Sequence, residues 1–341
     1  MSKIAIYGIG NFGFALLKHL NKKQGGESGF ALYAYDSNRE LVEHLRTERT
    51  HLLHHKDVKI SPTVVFTHNS QELVSNTDIL VLAVPSDTIR EVTTNLKLHI
   101  NREMIILNTA KALDSETGSR FSTIISKCLK DIGHPVSIAM LAGGTIARDL
   151  FKHEPLGVDI ACEDKKTLEV LKDIFTTDNL NVYTTTDLAG VEYAAAFKNV
   201  IAILAGIVNG LGFSYGSETH MISRAAGEVK KLVTTRLGGR EETFSIESQC
   251  WGNDLWMSCT GKTRNREFGI LLGKGHRLEE VIQIMKEQNK TVEGINTVKV
   301  IDKLIKDSVN EFPILCSISE IVFGGNDPRT TVMHLMSSNR I

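Results

Sequence analysis

Residues 3–22 read KIAIYGIGNFGFALLKHLNK, and the fold is decided here. An apolar run short enough for a strand meets an amphipathic helical pattern across a turn carrying Gly8, Gly10 and Gly13 in the spacing G-x-G-x-x-G. Each glycine has a physical reason if the ligand is a dinucleotide. Gly8 permits a tight turn, Gly10 lets backbone approach a pyrophosphate, and Gly13 lets helix and strand pack closely. The helix N-terminus then offers free N–H groups to the phosphates. A lone motif of this kind is weak, but the strand–turn–helix context favours dinucleotide binding over a merely glycine-rich turn.

Working outward, FALYAYD (residues 30–36) is a second strand ending at Asp36. A carboxylate there accepts hydrogen bonds from adenosine ribose hydroxyls and repels a 2′-phosphate, which favours NAD. Ser37 and Arg39 follow and are able to accommodate such a phosphate, so NADP stays open. DILVLAVP (78–85), EMIILNTA (103–110), PVSIAMLAG (135–143), GVDIAC (157–162) and NVYTTT (181–186) are further short apolar runs. Helical patterns such as SDTIREVTTNLK (86–97) and KTLEVLKDIF (166–175) lie between most of them. Continuous apolar strands alternating with amphipathic helices predict an α/β Rossmann-type, doubly wound, mainly parallel sheet. After about residue 187 only helical periodicity remains, from LAGVEYAAAFKNVIAILAGIVNG (188–210) to ILCSISEIVFGG (314–325). The expected division is a dinucleotide-binding domain over 1–188 and an all-helical, substrate-binding and catalytic domain over 189–341.

Composition narrows the partners. Formal net charge is −1, with 42% hydrophobic and 23% charged residues, so no global field favours nucleic acid or a membrane surface. An anionic ligand must be held locally. The five cysteines are scattered without metal-site spacing, and the chain opens directly on a strand pattern rather than a secretory signal. Reduced thiols and a cytoplasmic location are expected, with no metal. The most apolar segment is interrupted by Glu192, Lys198, Asn199 and Asn209, so no membrane span is expected.

Lys198 lies within YAAAFKNVIAILAG (193–206), flanked at helical spacing by Ala194, Ala195, Ile201 and Ala202. Burying an unpaired ammonium costs several kcal/mol. The lysine therefore either snorkels to the helix edge or reaches an acid on another element, or it lines an active site; the segment alone leaves these balanced.

Further stretches tip that balance: VLAVPSDTIREV, NTAKALD, AGGTIARDL, AAFKNVIAILAGIVNGLGF, TRNREFG, TVEGINT and NDPRTTVMHLM. In this order and spacing the chain resembles the NAD(P)-dependent glycerol-3-phosphate dehydrogenases, from Ile4 to about Met336. The resemblance implies cofactor contacts at Asn11, Phe12, Lys111, Ala147, Arg264, Thr291 and Glu293. It implies substrate contacts at Lys111, Gly143, Thr145, Lys198, Asp254, Thr263, Arg264 and Asn265. Lys198 matches the proton donor/acceptor, with Lys111 and Asp254 beside it in the catalytic set. The implied substrate pair is dihydroxyacetone phosphate and sn-glycerol 3-phosphate, exchanged by hydride transfer with NAD(P)H. A homodimer is left open.

The chain departs from the family pattern at Ala142-Gly143-Gly144, where serine–glycine–proline is common, at Ala110 and Ala112 around Lys111, and at Thr263, where serine is usual. CWGNDLWMSC (250–259) is bulky around Asp254. These departures leave open a different phosphorylated polyol or hydroxy acid as substrate. A non-catalytic nucleotide-binding redox sensor is the reading from another class. An apolar helix is expected to lower the ammonium pKa towards the working range, with Asp254 either holding the ammonium or binding a substrate hydroxyl. Arg264 and Asn265 are suited to a phosphate dianion, while Arg266 is expected to be structural. The histidines of THLLHHKD (50–57) are expected on a solvated loop or helix end, and Trp251 and Trp256 in core or interface packing.

Overall fold

The computed structural model describes residues 2–24 and 29–337. Contacts divide the chain into one unit of Met1–Lys111 with Arg120–Leu188, and a second of Ala112–Ser119 with Ala189–Ile341.

The first unit is built on a sheet of β1 (Ser2–Tyr7), β2 (Phe30–Tyr35), β3 (Val65–Thr67), β4 (Ile79–Leu82), β5 (Met104–Asn108), β6 (Val136–Ala142), β7 (Leu156–Cys162) and β8 (Leu180–Thr185). Its strand order is β3-β2-β1-β4-β5-β6-β7-β8. The helices are α1 (Asn11–Lys23), α2 (Arg39–Thr47), α3 (Ser70–Ser75), α4 (Ile89–Lys97), α5 (Phe121–Cys128), α6 (Ala147–Phe151) and α7 (Lys165–Phe175). The mainly parallel sheet expected from the sequence is present. β4 is buried at all four positions, as its unbroken apolar run requires of a strand covered on both faces. β8, at the sheet edge, alternates buried and exposed residues and leaves Tyr183 in solvent.

Two features depart from a simple reading of the strands. β3 has three residues, too few to show a period. β7 runs antiparallel to β6 and parallel to β8. The link from β6 to β7 holds only the five-residue α6. At about 1.5 Å per residue that helix spans less than half of a seven-residue strand, too little for a parallel crossover.

The second unit contains α8 (Leu188–Gly210), α9 (Tyr215–Arg236), a π-helical turn at Gln249–Asn253, α10 (Asp254–Thr260), α11 (Arg264–Gly273), α12 (Leu278–Glu287), α13 (Glu293–Ile305), α14 (Pro313–Val322) and α15 (Pro328–Ser337). α8 begins at the last residue of the first unit. It is long and apolar enough to cross a membrane, and its apolar stretch is wholly buried within the fold.

α8 and α11 cross on glycines. A Cβ on Gly206 would lie 2.1 Å from the Arg266 carbonyl oxygen, and one on Gly269 would lie 2.0 Å from that of Ile203. Gly210 and Gly273 repeat the contact one turn on, meeting Ile270 and Ile207. With no side chains between them the backbones approach closely, so the first residues of α11 reach the middle of α8.

The histidine-rich stretch corrects one expectation. His51 is buried and hydrogen-bonded to the Ile9 carbonyl, not solvated; His54 and His55 are half-buried. The tryptophans divide: Trp251 is buried edge-on against Phe244, whereas Trp256 is largely exposed.

Candidate active site

In the sheet unit the singled-out residues follow the carboxyl ends of strands: Gly8 after β1, Asp36 after β2, Lys111 after β5 and Gly143 after β6. β1 lies between β2 and β4, where the strand order reverses; open α/β sheets hold their ligands at such a point.

The three loop glycines have different reasons to be glycine. Gly8 has φ +97°, and a Cβ there would lie 2.7 Å from the Ala83 carbonyl oxygen. A Cβ on Gly13 would lie 2.0 Å from the Gly8 carbonyl oxygen, so α1 could not dock onto the loop. Gly10 is extended, at φ −68° and ψ −171°, and a Cβ there meets nothing within 4 Å. The fold needs the first two. The third leaves an open cradle at the N-terminus of α1, where no side chain caps the first N–H groups. That is the space a pyrophosphate needs. Asn11 is exposed there, and Phe12 is half-buried against the core. Asp36 accepts from the Ile9 N–H at 2.8 Å and the Asn38 N–H at 2.9 Å, so this carboxylate braces the loop.

After β5, the Lys111 ammonium donates to the Gly143 carbonyl, which also accepts from the Thr145 N–H at 2.7 Å. Gly143 sits tightly: a Cβ would lie 2.8 Å from the Gly157 carbonyl oxygen. The Thr145 hydroxyl is buried and has no hydrogen-bond partner among the described residues. A buried hydroxyl without a partner costs about 1–3 kcal/mol, a cost that a hydrogen-bonding ligand would relieve. Ala147, two residues on, opens α6 and is buried.

In the helical unit, α8 carries Lys198 at 5% exposure. Its ammonium donates to Asp254 Oδ1 at 2.6 Å and Ser258 Oγ at 2.8 Å. Asp254 is 0% exposed. The two partners stand one turn apart on α10 and so share a face. The π-helical turn before α10 adds a residue to the winding and sets which way that face points; such single turns often occur at functional sites. The carboxylate offsets the desolvation of the ammonium, so Lys198 reaches an acid on another element. Sequence reading did not single out Ser258, although its place four residues after Asp254 was the signal for it. Burial pushes the neighbouring Cys259 thiol up to about 12, so it stays protonated.

Thr263 donates its hydroxyl to the Ser258 carbonyl at 2.7 Å. Arg264, the first residue of α11, is exposed and makes no hydrogen bond or ion pair among the described residues. The Asn265 side chain donates to Asn199 Oδ1 at 2.9 Å and accepts from the Gly294 N–H at 3.0 Å. It thereby ties α8 and α11 to the start of α13, and has one N–H left for a ligand. Glu293 opens α13, and Thr291 is exposed just before it. Arg266 pairs with buried Glu218 at 2.8 Å, a structural role as expected. Among the described residues no group of three His, Cys, Asp or Glu side chains could hold a metal ion.

Comparison with known proteins bears on both halves. The N-terminal region of NAD-dependent glycerol-3-phosphate dehydrogenases matches residues 3–168, and their C-terminal region matches residues 187–333. The chain is 33% identical over 340 residues to a glycerol-3-phosphate dehydrogenase (NAD(P)+) of Thermoanaerobacter sp. (strain X514), covering 99% of this chain and 98% of that one. With its counterpart from Fusobacterium nucleatum it is 34% identical over 337 residues, covering 98% and 97%. In fold it is similar to the glycerol-3-phosphate dehydrogenase structures of Saccharomyces cerevisiae (TM-score 0.88, 20% identity) and Coxiella burnetii (TM-score 0.84, 23% identity), each covering 99% of both chains. Matched in both regions and over its full length, the chain belongs to the NAD(P)-dependent glycerol-3-phosphate dehydrogenase family.

Proposed function

We propose that this protein interconverts dihydroxyacetone phosphate and sn-glycerol 3-phosphate, with the sheet unit binding the dinucleotide and the helical unit supplying the catalytic lysine. The observation that carries the reading is the buried Lys198 ammonium held by Asp254 and Ser258. The reduced nicotinamide, when bound, supplies the hydride to the ketone carbon. Lys198 then gives a proton to the ketone oxygen as negative charge develops there, and takes one back in the reverse direction. Asp254 holds the ammonium in place. Arg264, whose exposed guanidinium has no partner among the described residues, would meet the phosphate dianion, joined by the spare Asn265 N–H. On the sheet unit, Lys111, Gly143 and Thr145 are the proposed ligand contacts; on the helical unit, Thr263 stands next to Arg264 in the chain.

Gly8, Gly10, Asn11, Phe12 and Gly13 would cradle the pyrophosphate, with Asp36 favouring NAD over NADP and Ala147, Thr291 and Glu293 as further cofactor contacts. Five free thiols accord with a cytoplasmic location, and a homodimer is the assembly to test by light scattering. The bulky residues around Asp254 had left the substrate open. Trp251 and Trp256 instead line a cavity of about 410 Å³ with residues of α9, and Lys198 is not part of that lining. The test is a substrate panel of phosphorylated ketones and hydroxy acids with NADH and NADPH. Dihydroxyacetone phosphate should give the highest kcat/KM. No oxidation of either cofactor with it, alongside turnover of another keto compound, overturns the assignment; tight NADH binding with no turnover at all favours a redox sensor.

A further inference from the structure

The Ile9 peptide groups, in the middle of the glycine loop, are both held by side chains. Its N–H donates to Asp36 at 2.8 Å, and its carbonyl accepts from His51 Nε2 at 2.8 Å. The protonation of that imidazole is set by its surroundings. Nδ1 of His51 accepts from the Leu53 N–H at 3.0 Å and the His54 N–H at 3.1 Å, so the ring proton must sit on Nε2, where it is donated to Ile9. A second proton would set an N–H against those two backbone N–H groups.

A peptide plane is rigid, so fixing the Ile9 carbonyl also fixes the Gly10 N–H at the other edge of the same plane. Gly10 is exposed, and among the described residues nothing accepts from its N–H. That donor stands in the cradle where a Cβ would meet only open space. We propose that His51 is a positioning residue for dinucleotide binding: by clamping the Ile9 carbonyl, it aims the Gly10 N–H at the cofactor pyrophosphate. The proposal rests on the reading that the glycine loop holds the dinucleotide.

Around the imidazole stand the Phe14 ring of α1 at 5.1 Å and the His54 ring at 4.8 Å, with His44 of α2 and Asp36 at the end of β2 as the other titratable groups facing it. Burial holds the ring's pKa below the ordinary histidine value; the Ile9 bond and Asp36 oppose that shift, and His54 and His44 reinforce it. At neutral pH the ring is therefore neutral and satisfied on both sides; in acid a second proton, on Nδ1, loses the Leu53 and His54 N–H bonds that seat the ring beneath the Ile9 carbonyl.

The test is NADH titration of the whole protein by fluorescence between pH 5 and 8 (about that window, from the ordinary histidine range), with steady-state rates beside it. His51→Asn keeps an acceptor for the Leu53 and His54 N–H groups but cannot reach Ile9. It should melt like the parent, raise the NADH Kd and KM about tenfold, the cost of one hydrogen bond, and leave kcat at saturating cofactor within about twofold. His51→Gln, whose amide nitrogen extends to the Nε2 position, should restore most of the affinity. Parent affinity should weaken in acid, and that limb should vanish in His51→Asn. Gly10→Ala, tolerated by the fold, is the control for the loop itself. If Gly10→Ala weakens binding while His51→Asn matches the parent at every pH, the positioning role is wrong and the loop assignment stands. If neither variant changes the Kd, the loop is not the dinucleotide site and both readings fall together.

Discussion

Replacing Asp254 by leucine strips the carboxylate from an ammonium that is 5% exposed, with 2.6 Å between the partners. Removing one member of a buried pair typically costs about 3–5 kcal/mol, because the charge left behind is uncompensated, whereas replacing both with apolar groups is close to neutral. Asp254→Leu and Lys198→Met should therefore each destabilise the helical unit by about 3–5 kcal/mol, and the double variant by less than about 2 kcal/mol. The chain has two tryptophans, Trp251 and Trp256, both in the helical unit, so urea unfolding followed by tryptophan fluorescence reports that unit. All three variants should have lost turnover. Stability and activity thus separate: the double variant recovers the first without the second. Single variants that each lose less than about 1 kcal/mol would refute a desolvated pair, and a double variant that turns over would refute its catalytic role.

Other outcomes follow from the same geometry. Gly269→Ala places a methyl 2.0 Å from the Ile203 carbonyl oxygen; it should push α8 from α11, cost about 1–3 kcal/mol in urea unfolding and raise the substrate KM as the Asn265–Asn199 bond loosens. Arg264→Lys removes a planar two-pronged donor and should raise the KM for the phosphorylated substrate about 10–100-fold, with unphosphorylated dihydroxyacetone as the insensitive control. Glu228 accepts from the Ile314 and Leu315 N–H groups at the start of α14, yet its burial dominates and pushes its pKa up from 4.5 to about 7. The folded chain thus keeps a proton that the unfolded chain releases near 4.5. This contribution is fully present below that value and is lost as pH rises through about 7. In urea titrations from pH 4 to 8 (about the span bracketing both values), parent stability minus that of Glu228→Gln should fall across that window; a flat difference contradicts the shift.

Much of the fold was legible because its signals are local. The glycine loop, the buried run of β4 and the helical periodicity after residue 187 each reveal themselves within a short window. The reversal of β7 was not legible, since composition carries no strand direction and only the shortness of α6 hints at it. The crossing of α8 and α11 depends on pairing Gly206 with Gly269, two glycines that are unremarkable apart. The site divides in the same way. Lys198 stood out as a charge in an apolar helix, but its partners lie 56 and 60 residues away on α10, so helix and lysine alone left its role undecided. Resemblance supplied Asp254, and geometry supplied Ser258. His51 was read as solvated because its bond to Ile9 spans 42 residues, and no local pattern records it.

If Lys198 moves the proton, removing its ammonium should spare cofactor binding and cripple the chemistry. Lys198→Ala should be assayed with saturating dihydroxyacetone phosphate and NADH, after its NADH Kd has been measured directly by fluorescence. Losing a positioned acid typically costs about 10²–10⁴ in rate. The variant's kcat should fall by that factor at unchanged NADH affinity, with partial recovery on adding small alkylamines. Turnover within about tenfold of the parent, from a variant that still binds NADH, would contradict it.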